Sequence, residues 1–307
     1  MKVRVGTRRS PLARTQTDHV CELLRRANPE IECEVVAVET TGDLVRDRPL
    51  REIGGKGLFV KELDEALAAG AIDCAVHSLK DVPSVLPDGI VVACVPERFS
   101  PHDILISRLA GPLDGFAAGT RIGTTSLRRA GQVLAQNPYV EIAMLRGNVE
   151  TRLSRVREGR FDATLLAAAG LARLGVRTDD LNTTPLDPWT FVPAPGQGAL
   201  AVTCRGGDRR VLEACARIND EGAESETQAE RAVARGLGAS CDLPLGALAR
   251  RRGPTVHLVA IVASADGRQM LRREERGPPE QADELGTRVA DLLAADGAHA
   301  LLAGRPT

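Results

Sequence analysis

Short runs in which apolar and polar residues alternate are each followed by a stretch of helical spacing, so the first third of the chain reads as strand, helix, strand. Residues 2–6 open the pattern. Ser10-Pro11 supplies an N-cap and a proline for the first helical position. Leu12, Gln16, Val20, Leu23, Leu24 and Ala27 then hold helical spacing until Asn28-Pro29, and a strand is predicted over 33–38. Residues 39–57 follow neither period and end in Gly54-Gly55-Lys56-Gly57, a length of loop that predicts a lid. A helix from Leu58 to about Ala69, stopped by Gly70, leads to strands 73–77 and 90–95.

The pattern restarts at Asp103-Ile104-Leu105-Ile106, after the loop-like Pro96–Pro101, which marks a domain crossing. Strands are predicted over 120–123, 140–145 and 162–167, with a short helix Ala168–Leu174. Pro193 to Gly198 then leads back toward the first domain through strand 199–204 and helix 208–218. A further helix over 224–236, strands near 246–251, 255–263 and 269–275, and an amphipathic helix 280–295 read as a separate α+β domain. The fold class is therefore α/β, with a smaller α+β domain at the C-terminal end.

With 307 residues the chain can bury two or three cores, and with 2% aromatics those cores must be Val, Leu, Ile and Ala. Forty basic against 41 acidic residues argue against nucleic acid or an anionic membrane held by bulk charge, so any cationic site must be local. Seven cysteines, at 21, 33, 74, 94, 204, 215 and 241, include no C-x-x-C pair. Neither a disulfide framework nor a metal site is expected, which fits a reducing cytoplasm. No apolar signal core opens the chain and no run could cross a bilayer, so a soluble protein is expected.

Candidate chemistry gathers where strands end. His77-Ser78-Leu79-Lys80-Asp81-Val82-Pro83 follows an apolar strand and puts Lys80 and Asp81 at a carboxyl edge, where open α/β sheets bind ligands. Gly6-Thr7-Arg8-Arg9-Ser10 and Gly123-Thr124-Thr125-Ser126-Leu127-Arg128-Arg129 repeat one design: a strand, a Gly-Thr corner, a hydroxyl cap and an arginine pair. A helix N-terminus with guanidinium forks seats carboxylate or phosphate. Either corner alone is ordinary capping with solvated arginines; two together suggest a twice-anionic ligand. Arg146-Gly147-Asn148, with Arg152 one turn into its helix, makes a third basic corner, and Arg173 lies on the short helix that follows. Gly54–Gly57 lacks the P-loop spacing and Gly196-Gln197-Gly198 lacks the dinucleotide fingerprint, so a nucleotide-dependent transferase is weakly supported. Two readings stand: a two-domain, clamp-like small-anion binder, or an enzyme that uses Asp81 between cationic walls.

Several segments in order resemble the porphobilinogen deaminase (hydroxymethylbilane synthase) family: Thr7-Arg8-Arg9-Ser10-Pro11-Leu12-Ala13, Gly54 to Phe59, the heptapeptide 77–83, Gly123 to Arg129, Leu145 to Val149, Ala168 to Leu171, Gly196 to Ala199 and the Cys241 loop. The resemblance implies two periplasmic-binding-protein-like α/β domains, residues 1–98 with 197–218 and residues 99–196, plus a third domain, 219–307. It implies a dipyrromethane cofactor in thioether linkage to Cys241. Four porphobilinogen molecules would be joined head to tail with loss of ammonia, by a cytoplasmic monomer. Arg8, Ser10, Lys56, Ser126, Arg128, Arg129, Arg146, Arg152 and Arg173 would hold carboxylates of substrate and cofactor. Lys80 and Asp81 would be catalytic, Asp81 stabilising the cationic azafulvene formed as ammonia leaves, and Phe59 would sit on the lid loop. The chain departs from the family at Gly238-Ala239-Ser240, where glutamate and a glycine are common, and at Thr203, often glutamate.

Overall fold

The computed structural model describes residues 1–40, 60–238 and 243–303. Residues 41–57 of the predicted lid, including Lys56, together with Phe59 and Cys241, lie outside the described residues.

Three sheets organise the chain. The first contains β1 (Lys2–Arg8), β2 (Glu32–Val38), β3 (Cys74–Ser78), β4 (Ile90–Cys94) and β10 (Leu200–Arg205) in the order β2-β1-β3-β10-β4. β1 runs parallel to β2 and β3, whereas β10 is antiparallel to β3 and β4. Helix α1 (Pro11–Ala27) covers this sheet with Val20, Cys21 and Leu24, which pack on Val3, Val5, Cys74 and Val76. Helix α6 (Arg209–Ala216) adds Val211 and Cys215 to the same core, and α2 (Lys61–Ala68) packs Leu63 and Leu67 on Ile72. All six described cysteines are buried and unbridged in or beside this core, where a thiol behaves as a small hydrophobe.

The second sheet contains β5 (Asp103–Ser107), β6 (Arg121–Gly123), β7 (Glu141–Ala143), β8 (Ala163–Ala167) and β9 (Asn182–Pro185) in the order β7-β6-β8-β5-β9. It carries α3 (Leu127–Gln136), α4 (Val149–Arg157) and α5 (Ala168–Leu174). The third sheet is an antiparallel meander of β11 (Leu245–Arg252), β12 (Thr255–Ala263) and β13 (Met270–Gly277). Helices α7 (Glu221–Gly236) and α8 (Ala282–Ala295), followed by α9 (Ala298–Ala303), bury Val233, Leu285, Val289 and Leu293 against it.

The crossings between the first two sheets, residues 95–102 and 192–199, run side by side, and Phe99 donates its N–H to the Gly198 carbonyl at 3.3 Å. Gly198 has φ +89°, and a Cβ there would lie 2.4 Å from the Phe99 oxygen, so only glycine lets the crossings touch.

Several predicted elements change their limits. β3 spans Cys74–Ser78 against the predicted 73–77, and Leu79–Asp81 forms a single 3₁₀ turn. The strand predicted over 140–145 stops at Ala143, because Leu145 leaves the sheet to pack on Val156 and Phe161. α7 starts at Glu221 instead of 224, since the Asp220 carboxylate accepts the Ala223 N–H at 2.7 Å and caps a first turn that includes Gly222. β9, a polar edge strand, and α9 were not predicted. No described helix is long and apolar enough to cross a membrane, and among the described residues no group of His, Cys, Asp or Glu could hold a metal ion.

Candidate active site

Strands β1, β6 and β7 each lead into a helix with a side-chain cap. At β1, Ser10 Oγ accepts the Ala13 N–H at 3.3 Å and starts α1, while the buried Thr7 hydroxyl donates to the Ala13 carbonyl at 3.2 Å. Arg8 is half-buried beside this cap, and exposed Arg9 pairs with Glu39 at 2.7 Å. At β6, Ser126 Oγ accepts the Arg129 N–H at 3.4 Å and starts α3. After β7, Asn148 Oδ1 accepts the Thr151 N–H at 2.8 Å and starts α4. α1 meets α5 across the gap, with Leu12 over Gly170.

The arginine pair of the second corner is turned inward. Arg129 donates through Nε and Nη2 to Asp103 Oδ1 at 3.1 and 2.7 Å and through Nη1 to the Leu165 carbonyl at 2.9 Å. Arg128 Nη1 lies 2.8 Å from Asp103 Oδ2 and donates to the Val192 carbonyl. These forks, expected to be open anion seats, share one buried internal carboxylate. Burial alone would raise the Asp103 carboxyl; Arg128 and Arg129 outweigh it and hold it far below the usual carboxylate range.

Among the described residues, no carboxylate pairs with Arg146 or Arg152 of the third corner. Arg152 donates through Nε to the Gly147 carbonyl at 2.9 Å, and burial, then repulsion from Arg129 and Arg146, lowers its guanidinium to about 10. Arg146 Nη1 is buried with no hydrogen-bond partner among the described residues. A buried donor left unsatisfied is costly, and an anionic ligand is the group that would satisfy it. Arg173 donates to the Gly198 carbonyl at 2.9 Å, and burial lowers it to about 10.

The turn after β3 carries the remaining candidate residues. Lys80 and Asp81 are half-buried in its single 3₁₀ turn, and Val82 is extended before Pro83. Burial pushes the Lys80 ammonium down to about 8, with Asp81 and Asp103 opposing that shift and Arg129 and Arg128 adding to it. These influences place Lys80 of the first sheet among the charges of the second. Ser78 is held by Gln16, whose Nε2 lies 2.8 Å from its Oγ. His77 is 5% exposed and 3.0 Å from Thr203 Oγ1; burial, then Arg8, lowers it to about 4, so it is neutral.

The structure thus links Lys80 with Asp81, Arg128 and Arg129, and Arg129 in turn with Arg152 and Arg146, while Arg8, Ser10, Ser126 and Arg173 lie on strand ends and helices of the same two sheets. Cations outnumber carboxylates in this set, which suits a ligand bearing several carboxylates. A cofactor with carboxylate arms fits the same walls, because Arg146 Nη1 is an unanswered donor and the Asp103 pair leaves guanidinium charge uncompensated. Sequence reasoning missed Asp103, Gln197 and Gln16. Asp103 had one visible signal, an acid heading an apolar strand.

Two family models match the chain: the porphobilinogen deaminase dipyromethane cofactor binding domain over residues 3–213, and the porphobilinogen deaminase C-terminal domain over 225–295. The porphobilinogen deaminase of Stenotrophomonas maltophilia (strain K279a) is 45% identical over 300 residues, covering 98% of each chain. That of Bacillus velezensis is 42% identical over 301 residues, covering 98% of this chain and 95% of the relative. Cap, corner and cleft residues all fall within these spans, and the chain belongs to the porphobilinogen deaminase family.

Proposed function

We propose that this protein joins four porphobilinogen molecules head to tail, with release of ammonia, into the linear tetrapyrrole hydroxymethylbilane. The observation that carries this reading is the excess of cations at the strand ends of the first two sheets, with Arg146 Nη1 buried and unanswered and Lys80 joined through Gln197 to the Asp103 pair, a set we read as the walls of one cleft. Family membership supplies the substrate class. Residues 1–98 with 197–218, 99–196 and 219–307 act as three domains, a division supported by the three sheets and by the return of β10 into the first.

In this reading Asp81 accepts the pyrrole N–H of incoming porphobilinogen and stabilises the positive charge that grows as ammonia departs. Lys80, protonated below about pH 8, presents its ammonium to substrate carboxylate beside Asp81. Arg146 and Arg152 take acetate and propionate groups bidentately, and Arg8, Ser10, Ser126 and Arg173 complete the frame. Arg128 and Arg129 hold Asp103 with one edge and keep further N–H groups for the ligand. Lys56 as a carboxylate-binding residue and Phe59 on the lid loop rest on resemblance alone. The dipyrromethane, in thioether linkage to Cys241, would supply a tethered pyrrole end for the first addition, so that every later coupling is intramolecular. The chain works as a monomer in the cytoplasm, a compartment that keeps its six buried thiols reduced.

Intact mass of the protein, produced in cells that make porphobilinogen, tests this. The expected mass exceeds the sequence mass by two linked pyrrole units, acidic dimethylaminobenzaldehyde gives the dipyrrole colour, and Cys241→Ser loses both together with activity. A bare sequence mass with no colour would instead favour the clamp-like anion binder.

A further inference from the structure

Gln197 stands between the crossings, 1% exposed, in a Gly-Gln-Gly turn that no cofactor motif explains. Its main chain is clamped from the third sheet's side of the molecule. Arg98 donates through Nε and Nη2 to the Gln197 carbonyl at 3.0 and 2.9 Å, and through Nη1 and Nη2 to the buried Glu230 of α7 at 2.7 and 3.0 Å. Glu230 Oε2 also accepts the Gly196 N–H at 2.6 Å. With its backbone fixed, the side chain has one way to lie. Nε2 donates to the Pro101 carbonyl at 2.7 Å and to Asp103 Oδ1 at 3.1 Å, which leaves Oε1 toward Lys80 Nζ at 3.5 Å. An amide is the side chain that can offer two N–H donors to acceptors on one side and a neutral acceptor to a cation on the other.

We propose that Gln197 is a positioning residue for the coupling reaction, an amide at the crossing that sets Lys80 of one wall against the Asp103-held arginine pair of the other. The inference rests on the proposed function and deepens it. Asp103 reaches Arg128 and Arg129 at 2.8 and 2.7 Å, so a shift of Gln197 is passed to both guanidiniums as well as to Lys80. Charged groups acting on Lys80 include Asp81, Asp103, Arg128 and Arg129. Gln197 is the uncharged group between them, and its replacement changes the field at Lys80 in a direction set by the substituent. Glutamate adds negative charge facing both Lys80 and Asp103, while methionine removes donor and acceptor alike at similar volume.

The test uses the full-length holoenzyme, with cofactor loading verified by intact mass, and compares wild type with Gln197→Met and Gln197→Glu. Loss of hydrogen bonds to charged groups predicts a fall in kcat of about tenfold or more for Gln197→Met. The alkaline limb of the kcat/KM profile is expected to move to lower pH in Gln197→Met and to higher pH in Gln197→Glu, because removing an acceptor disfavours the ammonium and adding a carboxylate favours it. Both variants keeping kcat within about twofold and the limb in place overturns the proposal, whatever their melting temperatures. Should Gln197→Met not accumulate as folded protein, the isosteric Gln197→Glu decides by the same limb. An inactive wild-type holoprotein would instead sink the deaminase reading.

Discussion

Asp81 and Lys80 are adjacent in sequence and opposed in charge, and the single turn they share gives each a different task. For Asp81, an amide keeps the shape and loses the charge that meets the developing cation. Asp81→Asn is therefore expected to fold normally and to lose about a hundredfold to a thousandfold in turnover, as measured by hydroxymethylbilane formation on cofactor-loaded protein. His77, two residues upstream of the same turn, makes a pH prediction. Its pKa is about 4 in the fold against an ordinary 6.5, so between these values the unfolded chain binds a proton that the folded chain refuses. Stability is then fully present above pH 6.5 and falls toward pH 4, by about 3 kcal/mol. Asp103, depressed from an ordinary value of 3.8, loses its contribution only at lower pH. The melting temperature of His77→Gln, followed from pH 7 to 4, should fall less steeply than that of the wild type. At this scale the placement of Lys80, Asp81 and the basic corners at strand ends and caps was legible, because each follows a strand or cap with a recognisable local pattern. Asp103 and Gln197 were not, because their partners lie 26 and 94 residues away, and no period records such a pairing.

At the scale of elements, the three basic corners look equivalent in sequence and differ in the structure. The Ser126 corner turns its arginines into the protein, whereas the Asn148 corner leaves Arg146 unanswered. Arg128→Leu removes one partner of a fully buried carboxylate and should cost about 3–5 kcal/mol of stability, besides any effect on the reaction. Arg146→Leu removes a buried donor that has no partner, so it should not lower stability, and it should stall elongation at particular chain lengths. Urea unfolding separates the stability effects, and native mass spectrometry after limited substrate reads the bound intermediates. Equal unfolding midpoints for the two variants would contradict this division. Elements with strong alternation or caps, such as α1 and β12, were legible nearly to the residue, and the start of α3 was legible from its cap. β9 was not, because an edge strand of Asn-Thr-Thr-Pro has neither an apolar face nor strand-forming punctuation.

At the scale of the whole molecule, the return of the chain through β10 was legible from the Pro-rich approach to 197, but the means of locking that return was not. Arg98, 2% exposed at its side chain, meets Glu226 and Glu230 of α7 at 3.2 and 2.7 Å while gripping the Gln197 carbonyl. One guanidinium thereby ties the third sheet's helix to both crossings. Arg98→Leu should destabilise the chain by about 3–5 kcal/mol, because it strands Glu230 as a buried charge. Thermal unfolding checks this, and a melting temperature equal to wild type would remove Arg98 from the joint. Arg231 extends the same contact, donating to the Val82 and Pro83 carbonyls at 3.0 and 2.7 Å, directly behind the Asp81 turn.

Trp189 is the chain's one tryptophan. It stacks on His257 of β12 with ring centroids 4.6 Å apart, and its carbonyl accepts from Arg272 of β13. Indole emission therefore comes from one place, the seam between the approach to the second crossing and the third sheet. It is an optical gauge for that seam and is blind to the cleft between the first two sheets. Steady emission throughout a catalytic cycle would mean that the second and third sheets travel as one body, and that room for the lengthening pyrrole chain is made at the cleft alone.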